Sequence, residues 1–163
     1  MIKHLLTAAA LASTLILSAS AKEYKLPEEG PVVAFSFPEK WEANEYEGGI
    51  EATSGDGEVY IAIESVDAEG VEKSMDAAMK YLTEKGVKAK PDTVKQTEGK
   101  LDGMDVIDLS LDGTDEDGAC KVTIMIIAAT EKKGVLLMYW ASPEGEKKNQ
   151  PDLDKITKSF KKL

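Results

Sequence analysis

The sequence contains no arginine: every basic residue is a lysine. A bidentate guanidinium clamp for phosphate or carboxylate substrates is therefore excluded. Histidine is nearly as scarce, and the single one, His4, lies in the leader described below. Without a further imidazole, Ser-His-Asp and Cys-His arrangements and His-rich zinc or copper sites are excluded. One cysteine, Cys120, permits no intramolecular disulfide. No phosphate-binding loop, G-x-G-x-x-G or G-x-S-x-G motif occurs. These absences predict a protein that is not an enzyme and that carries no cofactor. Ser-Lys or paired-carboxylate chemistry stays open in principle, but carboxylates are so abundant that no pair stands out. No catalytic, cofactor-binding or metal-binding residue is named on this basis.

What is present begins with Met1 to Ala21. Lys3 gives a positive start, Leu5 to Leu17 is apolar, and Ala19-Ser20-Ala21 fits an A-x-A cleavage site. The stretch reads as a secretory signal peptide, too short for an uncleaved anchor. No Cys follows the apolar run, so a lipid anchor is not indicated. From Lys22 to Leu163 the chain is expected to form a single domain, periplasmic or secreted, without stable membrane insertion after cleavage. The net charge of −10 should repel nucleic acid and anionic membrane surfaces. It also serves solubility.

The chain is organised around two runs, KVTIMIIAAT (Lys121 to Thr130) and VLLMYWAS (Val135 to Ser142), joined by Glu131-Lys132-Lys133-Gly134. This pattern predicts a β-hairpin. Both faces of each run are apolar, so the hairpin should lie mid-sheet with layers on each side. Cys120, just ahead of it, reads as a small hydrophobe, or else as a thiol that pairs between molecules if it reaches the surface.

Upstream, EYKLPEEG reads as an irregular arm and VVAFSFP (Val32 to Pro38) as a strand stopped by proline. Trp41 either covers one end of the core or marks a ligand surface. Gly48 to Ser54 and Glu58 to Val66 flank the turn Gly55-Asp56-Gly57, a second hairpin. Val71, Met75, Ala78, Met79 and Leu82 then form one helical stripe, with Asp67 or Ser74 as cap and Gly86 as stop. Its two Met serve core packing or a flexible binding face.

Thr93 to Leu101 is a thin, polar strand suited to a sheet edge. Asp102-Gly103 is a hairpin turn, and Met104 to Leu111 alternates as a strand. A closing helix is expected from Pro151, with Leu153, Ile156, Phe160 and Leu163 on its apolar face. Between the strands, a loop from Asp112 to Gly118 offers Asp112, Asp115, Glu116 and Asp117. Hard cations take several loop oxygens, but only Asp115, Asp117 and Gly118 fall in register with an EF-hand pattern. The same charges also keep a sheet end wet.

FSFPEKWE, KLDGMDVIDLSLDG and ITKSFKKL resemble the PsbP-like fold, in particular its secreted bacterial DcrB-like members. Phe35, Pro38 and Trp41 match an opening F-x-x-P-x-x-W, Gly103 a mid-chain turn, and Ile156, Ser159 and Phe160 a closing I-x-x-S-F. The resemblance implies an α+β domain: a central antiparallel sheet of six to seven strands with helices on both faces, an α/β/α sandwich. It implies accessory or partner-binding roles and no catalytic residues to carry over. The lipid-attachment Cys of some secreted relatives is missing here. The expected function is a non-enzymatic exported protein that binds another, unidentified envelope protein. The alternative is a small-ligand or divalent-cation binder using residues 112–118.

Overall fold

The computed structural model describes residues 21–67 and 71–163. The expected leader lies outside the described residues save for Ala21, and so does the side chain of Val71.

The two apolar runs form strands β9 (Gly118–Ala128) and β10 (Lys133–Ala141), paired antiparallel. They are the centre of the main sheet, with β5 (Val59–Asp67) beyond β10 and β8 (Met104–Asp115) beyond β9. Alternate side chains of β10 enter two separate apolar clusters. Val135 and Leu137 join Ile63 and Ile127 in one, while Leu136 and Met138 join Ala62 and Ile124 in the other. Gly134 sits opposite Ala128 because a Cβ there would collide with the Ile127 carbonyl oxygen.

The Gly55-Asp56-Gly57 turn joins β4 (Gly49–Thr53) to β5 as expected, and β3 (Glu42–Tyr46) adds an outer strand. At the far side, β8 carries two short neighbours in succession. These are β6 (Lys88–Ala89) on Gly113 and Thr114, and β7 (Lys95–Leu101) on Met104 to Ser110. The Asp102-Gly103 turn between β7 and β8 has φ of 46° and 78°, two left-handed residues as such a hairpin demands.

Among the described residues this sheet therefore has eight strands, where about six to seven were expected. A second sheet was also not expected: β1 (Lys22–Leu26), β2 (Val33–Phe37) and β11 (Lys161–Lys162), with β2 in the middle. The supposed irregular arm is β1, whose Tyr24 and Leu26 point inward between charged neighbours. Two apolar residues are too few to announce a strand. Aromatics bind this small sheet to the core. Phe35 stacks on Phe160 with centroids 5.1 Å apart, and Phe37 stacks on Trp41 at 6.1 Å. Trp41 is buried, so it is core.

Helix α1 (Val71–Glu84) contributes Ala78 and Leu82 to the cluster of Leu136 and Met138. Its end is a Schellman motif: the Val87 N–H donates to the Leu82 carbonyl at 2.8 Å, the Gly86 N–H to Thr83 at 3.0 Å, and Gly86 has φ 82°. Of the two proposed caps, Ser74 is not one. Asp67 ends β5 opposite Lys133, and Ser74 is buried inside the helix.

Helix α2 (Pro143–Ser159) begins eight residues before Pro151, which lies within it. Ser142 caps it, its hydroxyl accepting the Gly145 N–H at 3.0 Å, and Pro143 takes the first-turn position. Leu153 and Ile156 enter the cluster of Val135 and Leu137. The helix stops at Ser159 because Lys161 and Lys162 pair with β2, which leaves Leu163 56% exposed rather than on an apolar face.

Candidate functional site

The acidic segment Asp112 to Gly118 is not a loop. The ladder between β8 and β9 continues through Asp112↔Lys121, Gly113↔Cys120 and Asp115↔Gly118, leaving a two-residue turn of Glu116 and Asp117. Cross-strand chemistry explains the extension, since the Lys121 ammonium pairs with the facing Asp112 carboxylate. Asp115 Oδ1 accepts the N–H groups of Asp117 at 3.0 Å and Gly118 at 3.1 Å, closing the turn. Among the described residues, no group of three or more His, Cys, Asp or Glu is gathered to hold a metal ion. The four carboxylates are spread over the ladder and its turn instead of converging.

Cys120 lies beneath this turn, 3% exposed, where Gly113 leaves room for its sulfur. Burial, with Asp115 adding to it, pushes the thiol up to about 11, so it is protonated at neutral pH. It packs as a small hydrophobe.

Beside the turn is a polar and aromatic assembly that sequence reading missed. Register places Trp140 of β10 directly opposite Tyr60 of β5, with ring centroids 4.4 Å apart. The Tyr60 hydroxyl donates to Glu51 of β4, and the Tyr81 hydroxyl, from α1, lies 3.3 Å from that of Tyr60. The Lys85 ammonium donates to Glu51 Oε2 and to the Tyr60 hydroxyl, each at 2.8 Å. Burial opposes the Lys85 charge, but the Glu51 carboxylate outweighs it and its pKa is raised. Lys85, then Tyr60, holds the Glu51 carboxyl down. Burial, then Glu51, pushes Tyr60 up to about 12. These groups hold their ordinary charge states through the physiological range, so none is poised to exchange a proton. The nearest sequence signal was the alternate face of β5, which carries Tyr60, Ala62 and Glu64.

A cavity of about 210 Å³ opens between that aromatic pair and the acidic turn, lined by Glu58, Tyr60, Asp115, Asp117, Trp140 and Ser142 among others. Thus Asp115 and Asp117 of the expected acidic loop reach one cavity, while Asp112 is engaged by Lys121.

The two edges of the main sheet differ. Strand β3 is five residues long and presents exposed Glu42 and Glu45, the latter held by Lys22 at 2.9 Å. Strand β7 is seven residues long, and Lys95 to Lys100 are exposed on both faces. Among the described residues it pairs with β8 alone, and no other strand lies beside its outer backbone groups.

No protein-family model matches the sequence, and no curated protein matches it. Solved structures do match. The cyanobacterial PsbP, CyanoP, from Synechocystis sp. PCC 6803 superposes with a TM-score of 0.63 at 10% identity, over 97% of this chain and 99% of that one. The fold is PsbP-like. A protein from Bacteroides thetaiotaomicron VPI-5482 gives 0.57 at 14% identity over 88% of this chain. The match takes in 48% of that protein, so this chain spans about half its length. LpqN of Mycobacterium tuberculosis, described as involved in cell envelope biogenesis, gives 0.54 at 12% identity, over 87% and 91% of the two chains. Among the described residues, no helix is long and apolar enough to cross a membrane.

In this PsbP-like domain, Asp56 ties the β4–β5 turn to α2. Its carboxylate accepts from Ser54 Oγ at 2.7 Å and from Asn149 Nδ2 at 3.2 Å, and pairs with Lys148 at 2.8 Å. Lys148 first, then Ser54, holds the Asp56 carboxyl well below the usual carboxylate range. A carboxyl whose folded pKa is depressed contributes stability that is full above its unfolded pKa and is lost as pH falls toward the folded one. Asp56→Asn should therefore lower the melting temperature at neutral pH, with the gap to the parent shrinking below about pH 4. Thermal melts followed by circular dichroism across that range check this; a gap that persists undiminished in acid would remove the charge from the explanation.

Proposed function

We propose that this is a non-enzymatic exported protein, periplasmic or secreted, that works by binding another envelope protein. The reading draws on the secretory leader, the want of His and Arg, and the likeness to LpqN, whose own description places it in cell envelope biogenesis. Within the PsbP-like fold, the DcrB-like motifs at Phe35, Pro38 and Trp41 and at Ile156, Ser159 and Phe160 favour the secreted bacterial branch. The domain is read as an α/β/α sandwich, since α1 and α2 enter the two different clusters that alternate residues of β10 supply. Its acidity disfavours nucleic acid, and membrane insertion after cleavage is not part of the reading.

The observation that carries partner binding is the open outer edge of β7. An extended segment of a partner can add there as a further strand, with main-chain hydrogen bonds supplying affinity. Lys95, Glu98 and Lys100 bring both signs of charge to that edge, whereas the β3 edge presents the acidic Glu42 and Glu45.

Adjacent residues of a strand send their N–H groups to opposite edges. Of Gln96→Pro and Thr97→Pro, one therefore removes a donor to β8 and the other a donor to the partner. In-cell crosslinking of the tagged protein with mass spectrometry should find one dominant envelope partner. That partner should be lost in the variant whose melting temperature is unchanged. Undiminished capture in both variants would rule out the β7 edge.

A further inference from the structure

We infer that the cavity beside Trp140 is a binding site for an organic ammonium group, independent of the β7 edge. The argument starts from its aromatic wall. Trp140 lines the cavity and is backed by Tyr60, with ring centroids 4.4 Å apart, and ring faces attract cations within about 6 Å. The pair already does so on its Tyr60 side, where the Lys85 ammonium lies 5.1 Å from the ring centroid.

Charge completes the site. Glu58, Asp115 and Asp117 line the same cavity, and no lysine does. Elsewhere in the neighbourhood carboxylates are matched: Glu51 by Lys85, Asp56 by Lys148, Asp112 by Lys121. Among the described residues, none of the three cavity carboxylates forms an ion pair with a lysine. Two have hydrogen bonds within the fold, Asp115 from the turn amides and Glu58 from the Ser142 hydroxyl at 3.4 Å, which fix their positions without cancelling their charge. The site is thus a negative rim beside an aromatic wall, with only the charge of Lys148 reaching Glu58 from outside it.

That combination selects the chemistry of the ligand. A hard metal ion needs oxygens converging on one point, and these carboxylates do not converge. A bare potassium or sodium ion gains little from giving up water for a ring face. An alkylated ammonium presents both apolar methylenes or methyls and a diffuse positive charge, which suit the two kinds of wall at once. The source is either a free small amine or a lysine side chain of a peptide.

The test is a titration of the ¹⁵N-labelled full domain, with the Trp140 indole signal assigned from Trp140→Phe and Trp41 as internal reference. Tetramethylammonium chloride and a blocked Gly-Lys-Gly peptide are added in separate arms at constant ionic strength. We expect a saturable shift at Trp140 that leaves Trp41 unmoved. Tighter binding of the free ammonium identifies a small amine, and tighter binding of the peptide a lysine side chain. Glu58→Gln with Asp117→Asn should weaken binding on the order of tenfold through the loss of two unit charges, with the folded spectrum retained. Shifts that do not saturate, that potassium chloride reproduces, or that survive the double substitution overturn the inference. Gln96→Pro and Thr97→Pro should leave it unchanged, which separates its failure from that of the β7 reading.

Discussion

Phe35→Ala is expected to cost about 3–5 kcal/mol of unfolding free energy, among the largest single-residue effects in this domain. Phe35 is 1% exposed at the centre of β2. It stacks on Phe160 at 5.1 Å and on Tyr24 at 5.9 Å, and meets Phe37 edge-on at 5.7 Å. Truncation removes its buried area, breaks all three ring pairs and leaves a cavity between the small sheet and α2. Urea denaturation should show a lower midpoint at an unchanged slope. A loss below about 1 kcal/mol would mean that the site collapses on truncation, and that β1, β2 and β11 are not rigidly docked on the main core.

Gly134→Ala is expected to cost about 3 kcal/mol, the upper range for overpacking, although it adds only a methyl group. The new Cβ would fall well inside van der Waals contact of the Ile127 carbonyl oxygen. That atom is backbone of the neighbouring central strand, so it cannot rotate aside as a side chain would. Relief requires β9 and β10 to separate at Ala128↔Gly134, next to the turn that Thr130 closes by accepting the Lys133 N–H at 2.9 Å. Gly99 of β7 is the control, because a Cβ there meets nothing within 4 Å. Chemical denaturation of the two Ala variants should separate them clearly. Equal stabilities would show that the close approach at Gly134 carries no cost.

Elements were legible where short-range pattern and turn chemistry agreed. The β9–β10 hairpin stood out because short, β-branched apolar runs on both faces, joined by a polar turn ending in Gly134, fit a pair of buried strands. The stop of α1 followed from Gly86, and the Asp102-Gly103 turn needs two left-handed residues, which that pair tolerates best. Failures came where pattern was weak or ambiguous. Pro151 looked like a helix start because proline suits a first turn, but Ser142-Pro143 is the start, and α2 accommodates Pro151 in its interior. Asp112 to Asp115 looked like a loop because its charge hid the alternation. Cross-strand neutralisation by Lys121 is what keeps it in the ladder.

The sequence by itself determined that this chain builds a two-faced central hairpin, a turn at Gly55-Asp56-Gly57, a striped α1 and a polar edge strand at β7. It also determined the missing guanidinium chemistry and the scarcity of imidazole, confined to His4. These are properties of residues and of neighbours two to four positions apart, where periodicity and turn preference act. Only the tertiary structure decided that β1, β2 and β11 form a sheet of their own. It alone placed Tyr60 against Trp140 and brought both beside Asp115 and Asp117. Such pairings join strands far apart in the chain, and no local pattern specifies which apolar strand will find which. The packing of the whole core selects among them.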